Sequence, residues 1–86
     1  MNAPIKYEIL TTGNKVTQYK GYSIVVGKTE EGDWLAETKR RIDNGISVTY
    51  TPETNHQRHF YDYNKTRKSA VEMVMYLIDE FGRVSD

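Results

Sequence analysis

Residues 19–42, YKGYSIVVGKTEEGDWLAETKRRI, decide the fold. Their pattern predicts two strands, 19–28 and 33–42, joined by a short polar loop that ends in glycine. Side chains alternate between the two faces of a sheet, so a slip of one residue in the pairing would exchange the faces. A three-residue loop, Glu30-Glu31-Gly32, gathers the apolar residues on one face: Tyr22, Ile24, Val26, Trp34, Ala36, Thr38 and Ile42.

The same test applies to the next predicted strand, residues 46–50. A two-residue turn at Asn44-Gly45 would place its apolar side chains beside charged residues of strand 33–42. A three-residue loop, Asp43-Asn44-Gly45, with the glycine in a left-handed conformation, moves them to the apolar face. We therefore expect the three-residue loop, with Ile46, Val48 and Tyr50 beside Trp34.

Two further segments flank this region. Residues 5–10 alternate apolar and charged side chains before the turn sequence TTGN, which predicts an edge strand. Residues 58–63, after a polar loop that contains proline, predict another short strand, and the pattern does not decide its faces. The fold class expected is α+β, an antiparallel β-meander of three to five strands with one C-terminal helix packed on one face.

A helix is predicted over residues 64–82, NKTRKSAVEMVMYLIDEFG. Gly82 should end it, and Asn64 is the first candidate for its N-cap, with Asp62 and Thr66 as alternatives. An apolar arc about 160° wide, broad enough to cover a sheet, is formed by Ala70, Val71, Met73, Val74, Leu77, Ile78 and Phe81.

Composition limits the possible functions. We expect one domain, residues 1–86, with residues 1–4 and 83–86 as loose ends. Twelve basic and twelve acidic side chains cancel, so an electrostatic function must rest on local patches. The absence of cysteine excludes disulfides, thiolate zinc sites and a catalytic thiol. Without a membrane-spanning apolar run or a secretion signal, a cytoplasmic location and no membrane partner are expected.

The charges of the predicted helix are reversed relative to its dipole. Basic residues stand at its start and Asp79 and Glu80 at its end, and each misplaced charge costs about 0.3–1 kcal/mol at an exposed site. A helix start with free N–H groups and flanking cations can bind a phosphate or a carboxylate. The predicted anion-binding residues are Lys65, Arg67 and Lys68, with Arg58 and His59 nearby in the sequence.

An alternative leaves these cations without a function. They would be solvated, or paired with Glu30, Glu31 and Asp33 of the first hairpin loop. Lys68 would also reach Glu72 one turn further along the helix, although a lysine that precedes its glutamate is the weaker orientation.

A second basic cluster lies in TKRR, residues 38–41. Alternation places Lys39 and Arg41 on the face opposite Trp34, near Tyr19, where they would supply secondary contacts to a nucleic-acid backbone. The alternative is a solvated sheet face that has no partner.

Exposed tyrosines suggest a different kind of site. Tyrosine is enriched at protein interfaces, and this chain has seven. The predicted interface residues are Tyr61, Tyr63, Tyr76, Met75 and Tyr19.

Enzymatic motifs are missing. The sequence has no phosphate-binding glycine loop and no nucleophile elbow, and His56 and His59 offer too few ligands for a zinc site. We therefore predict no catalytic residues, metal, cofactor or small-molecule substrate.

Two segments resemble known families. The order of three strands and a helix, with KTRKSAVEMV at the helix start, resembles the C-terminal part of double-stranded-RNA-binding domains over residues 19–81, without their leading helix. That resemblance implies phosphate contacts at the helix start. GDWLAETKR is similar to the second strand of AP2-type DNA-binding domains, and HicB-like antitoxins have a related layout.

The leading expectation is a small non-enzymatic module that contacts an anionic partner, foremost a nucleic-acid backbone. The alternative is a protein-interaction module, a regulator or inhibitor of a larger complex or a homodimer. It would use the exposed tyrosines and the open sheet face.

Overall fold

The computed structural model describes residues 4–52 and 59–82, and in them one antiparallel sheet and one helix confirm the predicted α+β fold. The predicted loose ends, apart from Pro4, lie outside these residues, as do His56 and Arg58. The elements are β1 Glu8–Ile9, β2 Lys15–Tyr19, β3 Tyr22–Lys28, β4 Trp34–Asp43, β5 Val48–Pro52, β6 Tyr61–Asn64 and α1 Arg67–Phe81. Strands β1 to β5 form a meander in chain order, which confirms the expected three to five strands, and β6 adds a sixth strand to the sheet by pairing with β4.

The β3–β4 hairpin has the predicted three-residue loop. Thr29 N–H donates to the Asp33 carbonyl at 2.7 Å, and Lys28 is paired with Trp34. Gly32 takes a φ of +95°, a left-handed conformation that glycine adopts without a steric cost. The expected face follows, and on it Tyr22, Ile24, Val26, Ala36 and Thr38 are almost completely buried.

The predicted strand 19–28 is confirmed over Tyr22–Lys28 and wrong before it, because a second hairpin breaks the chain there. Lys20 and Gly21 have φ values of 50° and 85°, and Tyr19 pairs with Tyr22 across them. Positive φ at both central residues is the geometry of the tight turns that suit twisted hairpins. Tyr19 therefore ends β2, a strand that the sequence analysis missed.

The predicted β4–β5 loop is also wrong. Asp43 pairs with Val48, and the Asn44 N–H donates to the Ser47 carbonyl at 3.3 Å, so only Gly45 and Ile46 lie between the last pair. The side chain of Asn44 accepts the N–H groups of Ile46 and Ser47, both at 2.9 Å. These local hydrogen bonds stabilise the two-residue turn, although the pattern of apolar residues favours a three-residue loop. Ile46 is consequently 94% exposed.

Strands β5 and β6 share one edge of β4. β5 pairs with Lys39–Asp43 and β6 with Trp34–Glu37. Tyr61 lies opposite Glu37 and Tyr63 opposite Leu35, which places both tyrosines on the face away from the helix. This pairing decides the face that the sequence left open.

The helix α1 covers the Trp34 face as predicted. Its N-cap is Thr66, whose Oγ1 accepts the Ser69 N–H at 3.1 Å. The first choice, Asn64, is wrong, because its Oδ1 instead accepts the neighbouring Lys65 N–H. Gly82 ends the helix as expected, through its N–H bond to the Ile78 carbonyl. The core comprises Tyr22, Ile24, Val26, Ala36, Phe60, Ala70, Val71, Val74 and Ile78, whereas Met73 and Phe81 of the predicted arc are 41% and 54% exposed.

Candidate functional site

Five cations gather at the end of the sheet where α1 begins. Lys15 starts β2 and Lys28 ends β3, and both lie on the helix face beside the start of β4. The sequence analysis missed these two as site residues. Alternation places Lys28 on that face, whereas Lys15 lies outside the predicted strands, and the observed register brings the two to one end. We call the set the basic end: Lys15, Lys28, Lys65, Arg67 and Lys68.

Two aromatic rings contact three of the five cations of the basic end. The Arg67 guanidinium lies 5.2 Å from the centre of the Tyr7 ring and 5.8 Å from that of Trp34. Lys15 lies over Tyr7 at 5.9 Å and Lys28 over Trp34 at 5.7 Å. Such contacts contribute about 0.5–1 kcal/mol each at exposed sites. They orient cations without neutralising them.

Burial raises the pKa of Tyr7, and the nearby Arg67 charge opposes that rise. The phenol therefore remains neutral at physiological pH and does not itself neutralise the Arg67 charge.

Among the described residues, carboxylates do not pair with the basic end. In residues 4–52 and 59–82 none of its five cations forms an ion pair, so the expected alternatives with Glu30, Glu31, Asp33 and Glu72 are not seen there. The β3–β4 loop does bring three of these acids to the same end of the sheet. The five cations are thus available to an outside anion, in a field that the loop acids weaken.

The start of α1 offers hydrogen-bond donors beside these cations. Thr66 satisfies the Ser69 N–H, while the N–H groups of Arg67 and Lys68 have no acceptor within the described part of the chain. An anion at this position would meet both backbone dipoles and side-chain charges.

The second basic cluster is internally paired. Lys39 Nζ lies 3.9 Å from Glu37 and the Arg41 guanidinium 3.5 Å from Asp43. His59 contacts the same Glu37 through Nε2 at 3.2 Å. No group of three potential metal ligands occurs among the described residues. Lys39 and Arg41 therefore have less free charge to offer than the basic end.

Tyr19 is not where the sequence placed it. It lies on the helix face opposite Tyr22, and its hydroxyl donates to the Asp79 carboxylate at 2.9 and 3.0 Å. Lys20 binds the same carboxylate. The hydrogen bond from Lys20, and next that from Tyr19, lowers the pKa of Asp79. The acidic end of the helix is thus balanced by the β2–β3 turn.

The other predicted interface residues divide between two surfaces. Tyr61 and Tyr63 are 54% and 58% exposed on the face away from the helix. Tyr76, 55% exposed, and the half-buried Met75 line a groove between the helix, β2 and residues 4–7. The structure therefore does not bring the five predicted interface residues together.

The chain matches no protein-family model, and no curated protein or solved structure matches it significantly. None of the described helical residues form a segment with the length and hydropathy needed to cross a membrane.

Proposed function

We propose that this chain is a cytoplasmic, non-enzymatic binding module that holds a nucleic-acid backbone at its basic end. The observation that carries the proposal is the contrast in pairing. Five cations at the helix start form no ion pair with the described residues, whereas Lys20, Lys39 and Arg41 each have a carboxylate. Unpaired cations keep their charge for an external phosphate.

The contacts would be to phosphates. Lys65 and Lys68 are exposed, and beside them lie first-turn N–H groups that have no acceptor among the described residues. Such contacts position a nucleic acid but carry no sequence information, so binding should be weakly sequence-specific. It should weaken as salt rises, because each neutralised phosphate releases counterions.

A salt titration tests the proposal. Binding of a 20-nucleotide DNA strand and of its duplex would be measured by gel shift at increasing ionic strength. Log affinity falls as log salt rises. In K65Q/K68Q this fall should be shallower than in wild type, with a slope smaller in magnitude by about 1.4–1.8, because two phosphate contacts of about 0.7–0.9 each are lost. The matched variant K39Q/R41Q removes the same charge from paired residues and should change the slope less. Absence of binding to either DNA at low salt would refute the proposal.

A second function is supported by the exposed tyrosines. A module that regulates or inhibits a larger complex, or a homodimer, would bury Tyr61 and Tyr63, and tyrosine is a frequent interface anchor. Affinity capture from lysate with and without nuclease distinguishes the two functions. A protein partner should survive nuclease treatment, whereas a partner bridged by nucleic acid should be lost.

A further inference from the structure

Three ring side chains form a row along β6. The rings of His59 and Tyr61 stack with centroids 5.4 Å apart and an interplanar angle of 24°. Tyr61 and Tyr63 meet edge to face at 6.2 Å. Both tyrosines expose more than half of their surface, while Asp62 and Asn64 between and after them are half-buried. The row therefore presents ring surface to solvent from one side of an edge strand.

The sheet surface beside this row carries little net charge. Glu37, the acid opposite Tyr61 in the pairing, is shared by Lys39 at 3.9 Å and His59 at 3.2 Å. An anionic ligand that covered Tyr61 would therefore not meet an unbalanced carboxylate.

The row lies on the face away from the helix and the basic end on the helix face, and the chain passes from one to the other where the edge strand β6 ends. Lys65 follows Tyr63 by two residues, a distance of about 6.6 Å in extended chain, and α1 begins two residues later at Arg67. Rings and unpaired cations thus follow one another along a single short segment. A ligand that combines flat rings with regularly spaced negative charges would match both.

We infer that the nucleic acid bound by this module is single-stranded, with unpaired bases stacked on Tyr61 and Tyr63 and its phosphates held at the basic end. The inference rests on the proposed function. Bases in a duplex are stacked on each other and cannot cover these rings, whereas every unpaired base has an accessible face. Each stacked base contributes roughly 5- to 150-fold in affinity, with little dependence on sequence.

The test compares three fluorescent probes at one moderate salt concentration: a 20-nucleotide oligothymidine, an abasic strand with the same number of phosphates, and a 20-base-pair duplex. Wild-type protein should bind oligothymidine at least tenfold more tightly than the abasic strand. Y61T/Y63T keeps strand-forming side chains but removes the rings. It should lose at least tenfold on oligothymidine and retain its affinity for the other two probes. Y61F/Y63F, which keeps the rings, should bind as wild type does.

The outcomes separate this inference from the proposed function. Equal wild-type affinity for oligothymidine and the abasic strand would overturn stacking while leaving backbone binding intact. Equal weakening of all three probes by Y61T/Y63T would also overturn it, and a thermal melt of each variant would show whether folding is affected. Failure of all three probes to bind would refute both, and loss of a nuclease-resistant protein partner in Y61T/Y63T would assign the row to a protein interface.

Discussion

The two ends of the sheet use cations differently. At the end away from the helix start, Lys20, Lys39 and Arg41 each contact a carboxylate. Arg40, at the same end, forms no ion pair with a described residue. At the basic end, three of the five cations contact rings and none is paired within the described chain. The formal charge of zero conceals this difference. Availability of charge depends on the neighbours of each cation more than on their number.

Removing Arg67 should have the largest effect on the comparison. Arg67 contacts both Tyr7 and Trp34, so Arg67→Ala should lower the free energy of unfolding by about 1–2 kcal/mol, two contacts of 0.5–1 each. Urea unfolding measures the change. The control is Lys68→Ala, an exposed neighbour with no ring contact in the described residues, which should stay within about 0.5 kcal/mol. Equal losses would show that the rings do not hold the basic end.

Removing the helix cap should have the next largest effect. Thr66→Ala leaves the Ser69 N–H without its acceptor and should cost about 1 kcal/mol, whereas Thr66→Ser keeps the hydroxyl and should cost little. The measurement is again urea unfolding. DNA affinity, measured without denaturant where each variant is fully folded, is a second readout. Should the alanine variant match wild type, the cap would not be what fixes the start of α1 beside Trp34.

Much of this fold follows from the sequence. The β3–β4 hairpin was predicted because alternation and Gly32 agree, and the helix because its apolar residues recur at helical spacing. The β2–β3 turn was missed because it requires a positive φ at Lys20 as well as at Gly21, and lysine seldom adopts that conformation. The β4–β5 register was wrong because the side chains of Asp43 and Asn44 bind turn N–H groups and override the apolar pattern.

The candidate site could be predicted only in part. Lys65, Arg67 and Lys68 are neighbours in the sequence, so one helix start brings them together. Lys15 and Lys28 join them only through the pairing of β2, β3 and β4. The pairing of Lys39 and Arg41 likewise depends on rotamers that a sequence pattern does not specify.

Freeing the paired cluster should make the two ends more alike. E37Q/D43N removes the carboxylates of Lys39 and Arg41. If the ion pairs keep Lys39 and Arg41 from contacting phosphates, their removal should make the slope of log DNA affinity against log salt steeper. The increase should be up to about 1.4–1.8 for two new phosphate contacts. The matched control, E8Q/E80Q, makes the same change in net charge without releasing a paired cation and should leave the slope unchanged. A steeper slope in both variants would attribute the effect to net charge.

The smallest expected effect tests the remaining paired cation, Lys20, through its partner Asp79. Because the folded chain lowers the pKa of Asp79 below its usual 3.8, the unfolded chain binds that proton more readily. The stability that Asp79 contributes is therefore present above pH 3.8 and is lost as pH falls through the lowered value. Its hydrogen bond to Asp79 raises the pKa of Lys20 above 10.5, so the contribution of Lys20 is present below that pH and is lost as pH rises through the raised value.

Asp79→Asn should consequently destabilise the protein at neutral pH and become equal to wild type in strong acid, as measured by urea unfolding at both pH values. The effect should shrink in high salt, because Lys20 and Asp79 are exposed by 61% and 38% and exposed ion pairs are screened. Glu80→Gln, at an exposed neighbour with no ion pair among the described residues, should show no such difference. If Asp79→Asn still lowered the free energy of unfolding in acid, Asp79 would act through packing. The ion pair would then not explain how Lys20 differs from the cations of the basic end.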